Sequence, residues 1–273
     1  PLHPVGRRVF MISTPPLRHR VDRQLALAAA AQLTVLAALG ATAGLGPLGW
    51  LVGTAYMAAL WILLAGAARR AGSTTLGPAD LITLARSVLV GGVAALVAQG
   101  IAGGVTPVVT LVVLAAVALA LDGVDGQVAR RTKTVSALGA RFDMEVDSFL
   151  VLVLSIQVTA SVTSWALAIG AMRYVYVAAS WMRPWLRGAL PTRYSAKVVA
   201  ASAGVNLVVV AAGLLPHTVA VVLVLATLGA VSWSFGHGVA WLWRARGVRA
   251  GDGAVAPVAL SGPLPAPRSE PAR

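Results

Sequence analysis

The chain has 273 residues, 58% hydrophobic and 11% charged, with 22 Lys and Arg against 9 Asp and Glu for a formal charge of +13. Soluble domains carry about 45–50% apolar and about 25% charged residues. This chain therefore lacks the polar surface to cover itself in water, which excludes a soluble enzyme, a disordered protein and a nucleic-acid-binding domain. The basic excess reads instead as retention charge on cytoplasmic loops that face anionic lipid.

An apolar stretch of about 20 residues spans a bilayer as a helix. In chain order, a basic cytoplasmic tail over 1–23 leads into eight such stretches, at 24–44, 48–68, 80–101, 105–121, 143–162, 164–182, 196–214 and 218–241. The connections at 40–47, 102–107, 160–164 and 213–218 contain no Lys or Arg. The others are loaded, with Arg69 and Arg70, then Arg130, Arg131, Lys133 and Arg141, then Arg183, Arg187, Arg193 and Lys197, then Arg244, Arg246 and Arg249. This alternation predicts an even number of spans with both termini cytoplasmic. The expected fold is an all-α polytopic membrane helical bundle of about eight transmembrane helices. The first apolar run is longer than the core of a secretory signal and a second span follows directly, so it reads as a retained helix. Five prolines among the last 17 residues make 247–273 a Pro-rich disordered tail. The numbering opens at Pro1, which makes Met11 a candidate start. There is no cysteine, so redox gives no compartment. Only Lys133 and Lys197 are lysines, and that bias, with abundant Ala, Val, Gly and Leu, points to a G+C-rich bacterial genome and so to a bacterial cell membrane.

Five of the nine acidic residues lie between 122 and 147. An Asp at the bilayer centre costs roughly 2.5–3.5 kcal/mol on insertion scales, so clustered acids there need compensation. On a helix, Asp122, Asp125, Gly126 and Ala129 fall within an arc of about 100°, while Gly139, Asp143 and Asp147 follow at i, i+4 and i+8. Two facing helices would bring four carboxylates together beside bare backbone at Gly126 and Gly139. Four carboxylates at close quarters need protons or cations to neutralise them. An all-oxygen set suits a hard divalent ion, Mg²⁺, Mn²⁺ or Ca²⁺, and Arg130 offers a fork for phosphate. The segment thus predicts a divalent-metal, phosphate-handling site at the cytoplasmic membrane interface.

The pattern Asp122-x2-Asp125-Gly126-x2-Ala129-Arg130-x8-Gly139-x3-Asp143-x3-Asp147 resembles the signature of the CDP-alcohol phosphotransferase (CDP-alcohol phosphatidyltransferase) family at every fixed position. The segment Pro78 to Arg86, PADLITLAR, is similar to the family's first core helix, with Asp80 where Asn is frequent. The resemblance implies a six-helix catalytic domain over 76–246, preceded by two additional transmembrane helices within 24–75, and a homodimer. It implies transfer of a phosphatidyl group from CDP-diacylglycerol to a small alcohol acceptor with release of CMP, using Mg²⁺ or Mn²⁺ in a two-ion site. Carried over by position, Asp122, Asp125, Asp143 and Asp147 would ligate metal, and Asp147 would also be the general base. Asp122, Asp125, Gly126, Ala129, Arg130 and Gly139 would border the cytidine nucleotide.

Other residues admit two readings each. Arg173, in the middle of the sixth span, is either an acceptor-phosphate contact or the partner of a carboxylate. Arg193 and Lys197 are acceptor contacts or topology residues, and Arg86 is equally ambiguous. Glu145 falls on another helix face and is expected to be solvated. Nearby phosphate-binding cations favour glycerol 3-phosphate or inositol phosphate as acceptor. The alternatives are a cation-coupled transporter with the Asp cluster as its ion site, and a catalytically silent family member acting as a scaffold. Gly44-x-Gly46-x2-Gly49 matches a dinucleotide pattern, but it contains Pro47 and follows no strand, so it is rejected.

Overall fold

The structure, a computed structural model, describes residues 18–71, 77–132, 137–188 and 194–252. Eight α-helices follow one another: α1 Arg18–Ala43, α2 Pro47–Ala71, α3 Pro78–Ile101, α4 Val108–Thr132, α5 Ala137–Ser161, α6 Ala166–Met182, α7 Tyr194–Ala211 and α8 His217–Asp252. A short 3₁₀ turn, Pro184–Arg187, separates α6 from α7. Among the described residues no strand occurs.

Six helices contain stretches long and apolar enough to cross a membrane: Asp22–Ala43, Pro47–Ala67, Pro78–Ile101, Gly139–Ser161, Tyr194–Ala211 and His217–Arg246. α4 contributes a shorter described apolar stretch, Val108–Val124, and α6 has 17 residues, near the lower limit for a span. The protein is an integral membrane protein. Two predicted boundaries move. Residues 18–23 of the expected basic tail already belong to α1, and α8 continues to Asp252, so the start of the expected disordered tail is helical. Residues 1–17 and 253–273 lie outside the described residues.

Three of the uncharged connections share one local design. Gly44, Gly103 and Gly213 adopt φ of +65°, +80° and +68° just past the ends of α1, α3 and α7. That left-handed conformation ends a helix and is open to glycine without Cβ penalty. Pro47, Pro107 and Pro216 then stand at or just before the start of the next helix, where a missing N–H costs nothing. The same chain order places every uncharged connection at one end of the bundle and the basic residues at the other.

α3 is the central helix. In its span 78% of residues are buried, against 17–33% in the other five. It packs against α1, α2, α4 and α5. Association in lipid rests on van der Waals fit and small residues rather than on hydrophobic expulsion, and α3 supplies them. A Cβ on Gly91 would strike the Gln32 amide of α1, and one on Gly92 would press on Val35 of the same helix. At the uncharged end Gly46 N–H donates to Gln99 Oε1 at 2.7 Å, fastening the α1–α2 connection to α3. On the far side of the bundle, Asn206 of α7 donates to Thr227 of α8 at 2.9 Å.

The tightest helix approach involves Gly170 of α6, where a Cβ would lie 2.5 Å from the backbone Cα of Leu152 in α5. A backbone atom cannot swing aside, so Gly170→Ala forces the two helices apart. Overpacking of this kind costs about 1–3 kcal/mol. The thermal midpoint of Gly170→Ala in detergent should fall, whereas Gly229→Ala, where nothing lies within 4 Å, should leave it unchanged or raise it.

Candidate active site

α4 does not stop at its apolar boundary but continues to Thr132, so Asp122, Asp125, Gly126, Ala129 and Arg130 all lie on one helix. Their spacing therefore has the predicted helical meaning. The side chains of residues 125–138 lie outside the described part, so of these five only the Asp122 side chain can be placed. On α5, Gly139, Asp143 and Asp147 fall one turn apart along one face. Asp122 is at the C-terminal part of α4, Asp143 and Asp147 at the N-terminal part of α5, both at the basic end of the bundle.

The three described carboxylates converge. One oxygen of each of Asp122, Asp143 and Asp147 lies within 4.8 Å of the others, and among the described residues this is the group with metal-ligand geometry. What joins them is Arg86, the ninth residue of α3. Its Nη1 donates to Asp122 Oδ1, its Nη2 donates to Asp143 Oδ1, and Nη2 lies 2.9 Å from Asp147 Oδ1. Arg86 is 1% exposed, while the three Asp side chains are 36%, 36% and 40% exposed. The cation is thus sealed inside the bundle and the carboxylates form the wall between it and the surface.

This geometry corrects one expectation. The acids were expected to meet because α4 and α5 face each other. Among the described residues those two helices hardly touch, and α3 packs on both. The convergence runs through the guanidinium of α3. Asp122 lies within α4 and binds a residue 36 positions earlier in the chain.

The remaining candidates are placed as follows. Arg173 binds Glu145 through Nη2, and its Nη1 lies 2.8 Å from Met144 Sδ. Of its two readings, the carboxylate pair is the one present. Glu145 is exposed on another face, as expected, but is not merely solvated, because it holds Arg173. Lys197 is exposed in the first turn of α7, and Arg193 lies outside the described residues. Asp80 is buried, and its Oδ2 accepts the N–H of Gly77 at 2.9 Å, so it caps the start of α3. The residue that sequence reasoning undervalued is Arg86. Its signal was position: nine residues into an apolar helix, an arginine cannot be a loop charge.

Chemically, the cluster offers carboxylate oxygens with no nitrogen or sulfur, the donor set of a hard divalent cation. The short separation among the oxygens suits shared coordination, and the partial exposure leaves a face for a ligand. Arrangements of this kind hold a metal together with substrate phosphates. The residues present fit such an ion.

Comparison with curated proteins and with solved structures returns no match. The sequence profile described as CDP-alcohol phosphatidyltransferase matches residues 76–236, which run from the residues before α3 into α8 and contain Arg86 and all four motif Asp. That stretch is more than half of the chain, and with the converged acids of α4 and α5 inside it the chain belongs to the CDP-alcohol phosphatidyltransferase family.

Proposed function

We propose that residues 76–246 form the catalytic domain of a phospholipid-synthesis enzyme that moves a phosphatidyl group from CDP-diacylglycerol to an alcohol and releases CMP. The observation that carries this reading is the meeting of three signature carboxylates from two helices at the basic end of a membrane bundle. There a lipid-borne donor and a water-soluble acceptor can reach the same atoms. Both termini are cytoplasmic in this reading, the membrane is a bacterial cell membrane, and the enzyme is a homodimer.

In the proposed reaction the acceptor hydroxyl attacks the phosphorus that bears diacylglycerol. The new P–O bond forms as the bond to the bridging pyrophosphate oxygen breaks, and CMP departs with that electron pair. Asp147 takes the hydroxyl proton, a role that suits a carboxylate at the open side of the cluster. Asp122, Asp125, Asp143 and Asp147 would hold two ions of Mg²⁺ or Mn²⁺. Such ions supply charge stabilisation for the attacking and leaving oxygens. Asp122, Asp125, Gly126, Ala129, Arg130 and Gly139 border the nucleotide, the small residues letting it approach the helix backbones. Arg193 and Lys197 favour a phosphorylated acceptor, glycerol 3-phosphate or inositol phosphate, while Arg173 is engaged by Glu145.

Purified protein should release CMP from CDP-diacylglycerol only with divalent metal and one acceptor. Asp147→Asn should lower that rate by about 10²–10⁴-fold, the usual contribution of a positioned general base. Folded native protein that releases no CMP with Mg²⁺ or Mn²⁺ and any of glycerol 3-phosphate, inositol phosphate, inositol or serine would sink the proposal. Removal of metal with EDTA should abolish release, and added Mg²⁺ or Mn²⁺ should restore it.

The acceptor side has its own check. Losing one charged hydrogen bond costs about 1.5–3 kcal/mol, so Lys197→Ala should raise KM for a phosphorylated acceptor by about 10-fold or more. KM for CDP-diacylglycerol should not move. Equal effects on both substrates would remove Lys197 from the acceptor site.

A further inference from the structure

The family signature contains four Asp but not the cation that joins Asp122, Asp143 and Asp147. Arg86 lies on α3, 36 residues before the first of those acids. Its guanidinium reaches Asp122 on α4 and both Asp143 and Asp147 on α5, and its Nη2 also lies 3.4 Å from the Asp143 carbonyl oxygen. A retention arginine sits in a loop or extends its head to the interface. Arg86 has no such route, since it is 1% exposed and its helix is covered by α1 and α2 on one side and by α4 and α5 on the other. A buried cation needs one good partner to be tolerated. Three carboxylates from two helices that, among the described residues, hardly touch are more than that need.

We propose that Arg86 is a positioning residue, a built-in counter-cation that gathers Asp122, Asp143 and Asp147 before any metal binds. The inference rests on the reading of this cluster as the metal site. Three carboxylates within 4.8 Å of one another repel, and the repulsion is strong away from bulk water. Without a cation the two halves of the signature, carried on separate helices, would be driven apart. Arg86 offsets one of the three negative charges and leaves a formal charge of −2, which one divalent cation would balance. Arginine suits the task where lysine does not. It stays charged at every accessible pH, and its planar fork reaches several carboxylates at once, while an ammonium is a single point. In the metal-free protein Arg86 therefore stands in for part of the charge that a bound ion supplies.

The test is thermal unfolding in detergent, in EDTA and in saturating Mn²⁺, for the native protein, Arg86→Gln, Arg86→Lys and the double variant Arg86→Gln/Asp143→Asn. In EDTA, Arg86→Gln should lower the midpoint by about 5–10 °C, as expected for an opened buried ion pair in a chain of this size. Its rise on adding Mn²⁺ should exceed that of the native protein, because the ion then relieves the repulsion that Arg86 had relieved. Arg86→Lys should fall in between. The double variant should be more stable in EDTA than Arg86→Gln alone, since one repelling charge is gone. Equal loss for Arg86→Gln with and without Mn²⁺, or a double variant no more stable than the single one, overturns the proposal and leaves Arg86 as packing. If Arg86→Gln yields no folded protein, recovery of folding in the double variant supports the proposal and failure of both overturns it. A native midpoint indifferent to Mn²⁺ would count against the metal site itself, while the comparison of single and double variants in EDTA still judges Arg86.

Discussion

One guanidinium determines how the centre of this molecule is organised. Arg86 of α3 binds carboxylates of α4 and α5, and among the described residues those two helices otherwise make little contact with each other. In water such an arrangement would be one ion-pair network among many. Inside a lipid-embedded bundle an isolated buried charge carries a penalty of several kcal/mol. The cation and the acids therefore require each other, and the positions of three helices follow from satisfying both. In the sequence, Asp122 and Asp125 stand where the apolar run of α4 gives way to Arg130 and Arg131, at the edge of the apolar layer.

The rest of the fold keeps α3 in place. Its small residues admit α1 closely at Gly91 and Gly92, and Gln99 fastens its far end to the turn between α1 and α2. Its start is capped by Asp80 on Gly77 N–H. The helix is held at both ends and along its length, so the rotation that aims Arg86 at α4 and α5 is not left to the ion pairs alone. The Gly-to-Pro turns at the opposite end carry no charge and bring no side chain to the cluster. They close the bundle, and the chemistry is left to the other end.

Much of this was legible in the sequence because the bilayer imposes a length and a polarity on each helix. Eight apolar runs and the alternation of basic connections translate directly into eight helices. The i, i+4, i+8 spacing of Gly139, Asp143 and Asp147 translates into one face of α5. What could not be read was which helix lies at the centre. Hydropathy is similar for α2, α3 and α8, and a lipid-facing helix and a protein-buried helix are equally apolar. The position of Arg86 within an apolar run set it apart from a loop charge, but without knowing that α3 is enclosed its partners could not be named. That the carboxylate partner of Arg173 is Glu145 could not be named for a related reason, since their spacing of 28 residues across two helices leaves no local pattern. Helix ends were also blurred: α1 begins before its apolar run and α8 outlasts its own, because helical hydrogen bonding continues after the membrane stops demanding it.

The two helices ahead of the family-matched region have a geometric effect of their own. α1 and α2 lie against α3, and Tyr56 of α2 stacks on Phe149 of α5 at 4.6 Å, two residues from Asp147. This hairpin closes the flank of the bundle where α3 and α5 adjoin and removes that seam from contact with the bilayer. A molecule that travels in the leaflet meets α1 and α2 on that flank in place of the surface of α3 they cover.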